Sequence, residues 1–172
     1  ILNEPPENFS ILSSHRLIPP IMELLLGIGD LQIDGFICPG HVATIIGVKP
    51  FKIFAEAYGM PTVIAGFEPL DILIATLMIL QQIVSEDVKC ENEYIRCVKE
   101  EGNVKAQKIM NEVFEPVNAH WRGIGRVPLS GLSLRDSFKE FDAREKFEIK
   151  VPYPSRDILP GCSCHLVLIG KI

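Results

Sequence analysis

Apolar and polar positions along the chain predict alternating strands and helices. Three short apolar segments have the length and composition of strands: residues 9–14, 36–38 and 62–65. Runs with helical spacing follow them: residues 19–26, a helix from His41, residues 50–58, and Leu70 to about Val84. Strands that alternate with helices are typical of a parallel sheet with right-handed crossovers. We therefore expect an α/β fold, with a three-layer sandwich around a mostly parallel sheet.

The later part of the chain has a different pattern. Helical spacing of Tyr94, Ile95 and Val98, followed by a stop at Gly102 and a cap at Asn103, predicts an αα-hairpin over residues 88–114. Residues 117–121 then have the composition of another strand. Several prolines predict a linker near Ser155. The expected organisation is an α/β domain over residues 1–150 and a small additional C-terminal segment over 151–172.

Four chemically active side chains follow the predicted strands. His15 follows the first, Cys38 and His41 the second, and Glu68 the third. Ligands of open α/β sheets bind at the edge formed by the carboxyl ends of the strands. We therefore expect a thiol, two imidazoles and a carboxylate to converge there.

Three of these four side chains also have a purely structural interpretation. A partly exposed Cys38 at a strand-to-helix junction would have its ionised form stabilised. A free cysteine can equally be a small buried apolar residue. Glu68 precedes Pro69 and can cap the helix that begins there, and His41 can be a core or capping histidine.

Composition excludes several classes of function. The hydrophobic fraction is 47%, but the longest apolar run, Ile72–Leu80, is far shorter than the about 20 residues of a membrane span. A net charge of −5 argues against nucleic acid or an anionic membrane as a partner. Five irregularly spaced cysteines without a secretory leader favour a reducing cytoplasm over a disulfide framework.

Common cofactor motifs are absent from the sequence. Gly123-Ile124-Gly125 lacks the third glycine of a dinucleotide fingerprint, and we find no phosphate-loop, nucleophile-elbow or His-Glu-x-x-His motif. Cys162 and Cys164 are two positions apart. In an extended segment both would point to one side and supply half of a soft-metal site, or they are two unrelated thiols.

Several motifs together resemble the HypD family of nickel–iron hydrogenase maturation factors. They are Cys-Pro-Gly-His at 38–41, Gly-Phe-Glu-Pro-Leu-Asp at 66–71, and the segments 9–20, 101–103, 121–125 and 161–164. They occur in order over nearly the whole chain. The resemblance implies an accessory iron–sulfur protein that assembles an iron centre carrying cyanide and carbon monoxide, together with a HypC-type chaperone and a HypE-type cyanide donor.

The same resemblance implies roles for individual residues. Cys38, His41 and Glu68 would carry the chemistry, with Glu68 accepting a proton and His41 donating to bound cyanide. His15, Pro39, Gly40, Gly66, Phe67 and Pro69 would line the cleft. Cys162 and Cys164 approach the region that ligates a [4Fe-4S] cluster, although His165 stands where the family usually has glycine.

The resemblance covers the middle and later part of the family only. The chain starts at Ile1 without a methionine, and the family's amino-terminal cysteine motifs and most of its cluster ligands have no counterpart. We therefore expect a fragment with an incomplete cluster site. Two alternatives remain: a cysteine-dependent enzyme with Cys38 as nucleophile and a histidine base, and a non-catalytic interaction module that uses the helix from Leu70 and the Trp121 segment.

Overall fold

The computed structural model describes residues 5–29, 31–150, 158 and 160–172. The chain divides into two compact units, one of Ile1–Leu25 with Ile109–Ile172 and the other of Leu26–Lys108. The predicted linker near Ser155 lies outside the described residues. The predicted division at residue 150 stays a prediction.

Through the first two thirds of the chain, each strand is followed by one helix or by two successive helices. The helices are α1 Ile18–Leu26, α2 Gly40–Ile46, α3 Lys49–Glu56, α4 Pro69–Ser85, α5 Val104–Val113, α6 Ala143–Lys146 and α7 Cys164–Leu168, with a 3₁₀ helix over Asp136–Phe141. The strands are β1 Phe36–Pro39, β2 Thr62–Ala65, β3 Cys90–Asn92, β4 Phe114–Trp121 and β5 Gly125–Leu134.

The unit Leu26–Lys108 is built on a three-stranded parallel sheet. Its strand order is β1-β2-β3, and both strand pairs are parallel. Pro39 pairs with Ala65, and Ile64 pairs with Asn92, so the three strands end at the same edge. The predicted α/β fold is therefore confirmed.

Helices cover both faces of this sheet. The rings of Phe36 in β1 and Phe54 in α3 lie 5.9 Å apart, so α3 packs on the face that Phe36 presents. Val63 and Ala65 point to the opposite face, because side chains alternate along a strand. There they pack with Ala75 of α4. This unit therefore has the three layers expected from the sequence.

Two predicted elements are wrong. The segment 9–14 forms no extended strand, and its Ile11 makes an isolated bridge with Asp142. The first helix of the predicted hairpin is replaced by β3 and a turn. Glu93 and Tyr94 donate their backbone N–H groups to the carbonyl of Ile64. The segment therefore forms a strand and not a helix, because it pairs with the open edge of β2. Unpaired backbone groups in a buried sheet are costly.

The other unit contains an antiparallel ribbon of β4 and β5. The pairing runs from Phe114 with Leu134 to Trp121 with Gly125. The indole N–H of Trp121 donates to the hydroxyl of Ser130 over 2.8 Å. The predicted strand over residues 117–121 is confirmed and longer than expected, whereas its pairing with β5 was not predicted.

Helix α4 buries only one side. Asp71, Ala75 and Gln82 are buried, while apolar side chains on the other side are exposed. Within the described part of the chain, no helix combines the length and apolar composition needed to cross a lipid bilayer.

Candidate functional site

The loops after β1, β2 and β3 bring aromatic rings together at the carboxyl edge of the parallel sheet. The ring centroids of His41 and Phe67 lie 4.6 Å apart, and those of His41 and Tyr94 lie 6.1 Å apart. His41 is in the first turn of α2, where the Thr44 hydroxyl donates to its carbonyl over 2.6 Å. The Cys-Pro-Gly-His and Gly-Phe-Glu-Pro motifs therefore meet at one edge, as the topology predicted.

Charged side chains extend this group. Arg96 Nη2 lies 3.0 Å from Glu68 Oε2 and 2.6 Å from Asp71 Oδ2. Its guanidinium carbon lies 4.4 Å from the centre of the Tyr94 ring. We call these six residues the edge cluster: His41, Phe67, Glu68, Asp71, Tyr94 and Arg96.

Glu68 occupies the N-cap position of α4, but its carboxylate makes no capping hydrogen bond. The predicted capping role is therefore wrong. Asp71, in the first turn of α4, instead accepts the backbone N–H of Glu68. The Glu68 side chain pairs with Arg96 and stays 60% exposed. Its carboxylate is thus held at the edge and remains accessible to a ligand.

Asp71 is the buried acid of the edge cluster. Its side chain is only 6% exposed. The hydrogen bond from Arg96, together with one from the backbone N–H of Glu68, holds the pKa of Asp71 below its usual range. Asp71 and Arg96 therefore form an ionised pair at neutral pH.

Two glycines allow the loops to approach each other closely. A Cβ at Gly66 would collide with the Asp71 carboxylate and lie 2.7 Å from the Tyr94 ring. A Cβ at Gly40 would collide with the Ala65 carbonyl and lie 2.6 Å from the same ring. The glycine of each motif is therefore required by packing against Tyr94 and its neighbours.

Of the two interpretations of Cys38, the structure agrees with the buried apolar residue. It is 1% exposed and lies on the sheet one residue before the edge. Burial raises the pKa of its thiol far above the usual range, with a further contribution from Cys90. The prediction of a partly exposed, readily ionised thiol is therefore wrong, because the loss of hydration outweighs the effect of the helix terminus.

The remaining predicted cleft residues fall into two groups. Pro39 precedes α2 at its N-cap position, and Pro69 is the first residue of α4, so both flank the edge cluster. His15 lies in the other unit. Its ring contacts Phe114, with centroids 5.3 Å apart, and the Ser13 hydroxyl lies 3.1 Å from its Nδ1. His15 therefore does not follow a strand of the parallel sheet.

Cys162 and Cys164 are neighbours in the other unit. Their sulfurs lie 3.4 Å apart, and Arg122 Nη2 lies 3.5 Å from Cys162 Sγ. Hydrogen bonds from the backbone and thiol of Cys164, and then from Arg122, lower the pKa of Cys162.

This pair does not form a complete site for a four-iron cluster. Such a cluster is held by four thiolates, and two sulfurs supply half of that number. Among the described residues, no group of three or more His, Cys, Asp or Glu side chains is arranged to hold a metal ion.

Tyr94 and Arg96 were missed by the sequence analysis. The helical spacing of Tyr94, Ile95 and Val98 predicts a helix at Tyr94 and gives no signal for Arg96. The relevant pattern was the short segment 90–92 followed by Tyr94 and Arg96. Once that segment is a third parallel strand, both residues follow its carboxyl end.

Comparison with known proteins relates the chain to hydrogenase maturation. All of residues 1–172 match a family described as "HypD: Hydrogenase formation hypA family". A putative hydrogenase expression/formation protein of Methanocaldococcus jannaschii is 50% identical over 169 residues, which are 98% of this chain and 46% of that protein.

Two bacterial proteins are similar over nearly the same region. Hydrogenase maturation factor HypD2 of Bradyrhizobium diazoefficiens is 42% identical, over 95% of this chain and 44% of its own length. Hydrogenase maturation factor HypD of Cupriavidus necator is 41% identical, over 95% of this chain and 45% of its own. The chain thus spans less than half the length of these relatives. The family match and these identities establish that the chain belongs to the HypD family of hydrogenase maturation factors.

Proposed function

We propose that this chain supplies part of the scaffold on which the iron centre of nickel–iron hydrogenase, with its cyanide and carbon monoxide ligands, is assembled. The observation that supports this most directly is the convergence of His41 with Phe67 and Glu68 at one sheet edge. Ligands bind at such edges in open α/β sheets. Since the relatives are more than twice as long, the complete scaffold includes parts that this chain does not contain.

His41 is the proposed hydrogen-bond donor. An imidazole N–H can donate to the nitrogen of a cyanide ligand carried by the iron cargo. The neighbouring Phe67 ring is more than half exposed and forms an apolar wall beside it. Reduced water access on that side strengthens a hydrogen bond to a bound anion.

Glu68 is the proposed proton acceptor. Its carboxylate is accessible, and a salt bridge to Arg96 holds it beside the edge cluster. A carboxylate within hydrogen-bond reach can accept protons released as diatomic ligands bind. Cys38 is given no chemical role here, because its thiol is buried and protonated at neutral pH.

The wider assembly is also part of this proposal. We infer a HypC-type chaperone and a HypE-type cyanide donor as partners in the cytoplasm, and a [4Fe-4S] cluster in the complete scaffold. Cys162 and Cys164 would supply at most two of its ligands. In this assignment the protein is an accessory assembly factor.

A chimaeric protein tests the proposal. This chain replaces the matched region of the Cupriavidus necator relative in a strain that lacks the native protein, and hydrogenase activity is measured. We expect activity to be restored, and His41→Ala to reduce it about tenfold or more. Glu112→Gln, on the exposed side of α5, is the control and should retain full activity. Undiminished maturation with His41→Ala would remove His41 from the proposed role.

One observation favours an interaction function as a second candidate. Five side chains of α4 are spaced alternately three and four positions apart, and each is more than half exposed: Leu70, Leu73, Leu77, Leu80 and Val84. This is the spacing of a helix-pairing seam. Asp71 is the only charged residue in α4, so the seam fits an uncharged amphipathic helix of a partner protein.

The same chimaera distinguishes the two candidates. Leu73→Glu with Leu77→Glu places charge in the seam and leaves the edge cluster intact. Loss of maturation in this variant, together with full activity of His41→Ala, would favour the interaction function. Loss in His41→Ala with activity retained in the seam variant would favour the assembly site.

A further inference from the structure

Arg96 connects the parts of the edge cluster. One nitrogen, Nη2, contacts both Asp71 Oδ2 at 2.6 Å and Glu68 Oε2 at 3.0 Å. The guanidinium also lies over the Tyr94 ring, 4.4 Å from its centroid. Arg96 thus contacts two acidic side chains that lie close together.

Asp71 and Tyr94 hold Arg96 in place. The Asp71 side chain is nearly buried, and it accepts the shorter of the two hydrogen bonds. The buried Tyr94 ring packs against the positions of Gly40 and Gly66, where a Cβ would come within 2.7 Å of it. Arg96 is therefore fixed on one side by a buried acid and on one face by an immobile ring.

The Glu68 side chain has no buried anchor comparable to those of Arg96. Its carboxylate makes no capping hydrogen bond with α4, and its side chain is 60% exposed. An exposed glutamate with three rotatable bonds samples several rotamers unless a partner restricts it. Its carboxyl group lies beside that of Asp71 and forms a salt bridge to Arg96, and the salt bridge is the charge-assisted contact that restricts its direction.

We propose that Arg96 is the positioning residue for Glu68. It is anchored by Asp71 and Tyr94, and it directs the Glu68 carboxylate toward the sheet edge where His41 and Phe67 meet. This inference rests on the proposed function of Glu68, and it adds a residue that the two loop motifs do not include. Arg96 acts through Glu68 and is assigned no contact with the iron cargo.

A lysine at position 96 should hold the Glu68 side chain only in part. A lysine retains the positive charge, but its ammonium group does not stack on Tyr94 as the planar guanidinium does. Arg96→Lys is therefore expected to restrict the rotamers of Glu68 less well than the wild type does. Arg96→Met is expected not to restrict them.

The first test measures the Glu68 rotamer in this chain. Three-bond NMR couplings report χ1 of Glu68 in the wild type, Arg96→Lys and Arg96→Met, and backbone amide shifts of the parallel strands check the fold. We expect one dominant rotamer in the wild type, partial averaging with lysine and full averaging with methionine. Lys99→Met, at an exposed residue three positions away, is the control and should leave the rotamer unchanged.

A dominant Glu68 rotamer that persists in Arg96→Met would overturn the proposal. If Arg96→Met does not fold, Arg96→Lys provides the test. A Glu68 rotamer distribution identical to that of the wild type would then overturn the proposal, because it would show that stacking on Tyr94 and the double contact with Asp71 and Glu68 are not needed.

The second test uses the maturation assay of the chimaera. We expect Arg96→Met and Glu68→Gln each to reduce maturation about tenfold, as loss of a supporting contact does. If Arg96 acts through Glu68, the double variant should be no worse than either single variant. Multiplied losses would instead indicate a separate structural role and overturn the inference.

The two tests separate the inference from the proposed function. A wild-type chimaera that fails to mature hydrogenase would count against the proposed function. The Glu68 rotamer in this chain still decides whether Arg96 positions that side chain.

Discussion

The imidazole of His41 and the ring of Phe67 lie with their centroids 4.6 Å apart and their planes at 56°. His41 is in the first turn of α2, and Phe67 lies in the loop before α4. Their contact depends on the parallel pairing of β1 with β2, which aligns Pro39 with Ala65. Two motifs that are distant in sequence thus form one surface, and a change that displaces either loop should affect both.

Gly66→Ala should destabilise the protein. The added methyl group would collide with the Asp71 carboxylate and lie 2.8 Å from Glu68 Oε2. Overpacking of this kind costs about 1–3 kcal/mol in the free energy of unfolding. Urea unfolding followed by circular dichroism measures the change.

The matched control is Gly29→Ala. No atom lies within 4 Å of a Cβ built at Gly29, so its free energy of unfolding should change by less than about 0.5 kcal/mol. Equal free energies of unfolding for the two variants would contradict the close packing around Gly66.

Cys38 should resist alkylation. Its thiol is 1% exposed, and burial raises its pKa, so little thiolate is available near neutral pH. The exposed Cys97 should be modified much sooner. Iodoacetamide labelling at pH 7.5, followed by peptide mass spectrometry over time, compares the two residues in one sample.

The same experiment in urea provides the control. Unfolding should expose Cys38 and bring its labelling rate close to that of Cys97. Rapid, selective modification of Cys38 in the native protein would restore the thiol-enzyme interpretation, which requires an accessible thiolate.

The sequence predicted the parts of the fold that local pattern determines. The β-branched segment 62–65 became β2, and Pro69 began α4 at the position that favours proline. The parallel order of β1 and β2 followed from the intervening helices. The sequence alone therefore predicts that His41 meets the loop that contains Phe67.

Nonlocal interactions account for what the sequence did not predict. Tyr94 was placed in a helix because three residues matched a period of 3.6. The backbone of the preceding segment instead pairs with the open edge of β2. The sequence left the environment of Cys38 open between exposed and buried, because local pattern does not show how much surface neighbouring elements cover. Arg96 could not be recognised from local pattern, because the strand before it forms by pairing with β2. Its partners, Glu68 and Asp71, also come from another part of the chain.

Asp71 should make stability depend on pH in the acidic range. Its pKa in the folded protein is lowered, mainly by the hydrogen bond from Arg96. The unfolded chain therefore takes up a proton more readily than the folded chain. The stabilisation is complete above the unfolded pKa, near 3.8, and is lost as the pH falls through the lower folded pKa. Urea unfolding between pH 2 and 6 measures the slope.

Two variants identify the source of this slope. Asp71→Asn removes the titrating group and should reduce the dependence of stability on acid pH. Arg96→Met removes the main cause of the lowered pKa and should reduce the slope in the same range. An unchanged slope in both variants would mean that other carboxylates produce the acid dependence.

Iron–sulfur reconstitution should not give a stable four-iron cluster in this chain by itself. Cys162 and Cys164 have sulfurs 3.4 Å apart, and two thiolates are half of the ligands that such a cluster takes from a protein. Anaerobic incubation with iron and sulfide, followed by desalting, should leave little visible absorption and far fewer than four irons per chain. Cys162→Ser with Cys164→Ser measures the background from adventitious iron. Strong visible absorption that survives desalting, with four irons per chain, would show that this chain completes the cluster site, for instance by sharing cysteines between copies.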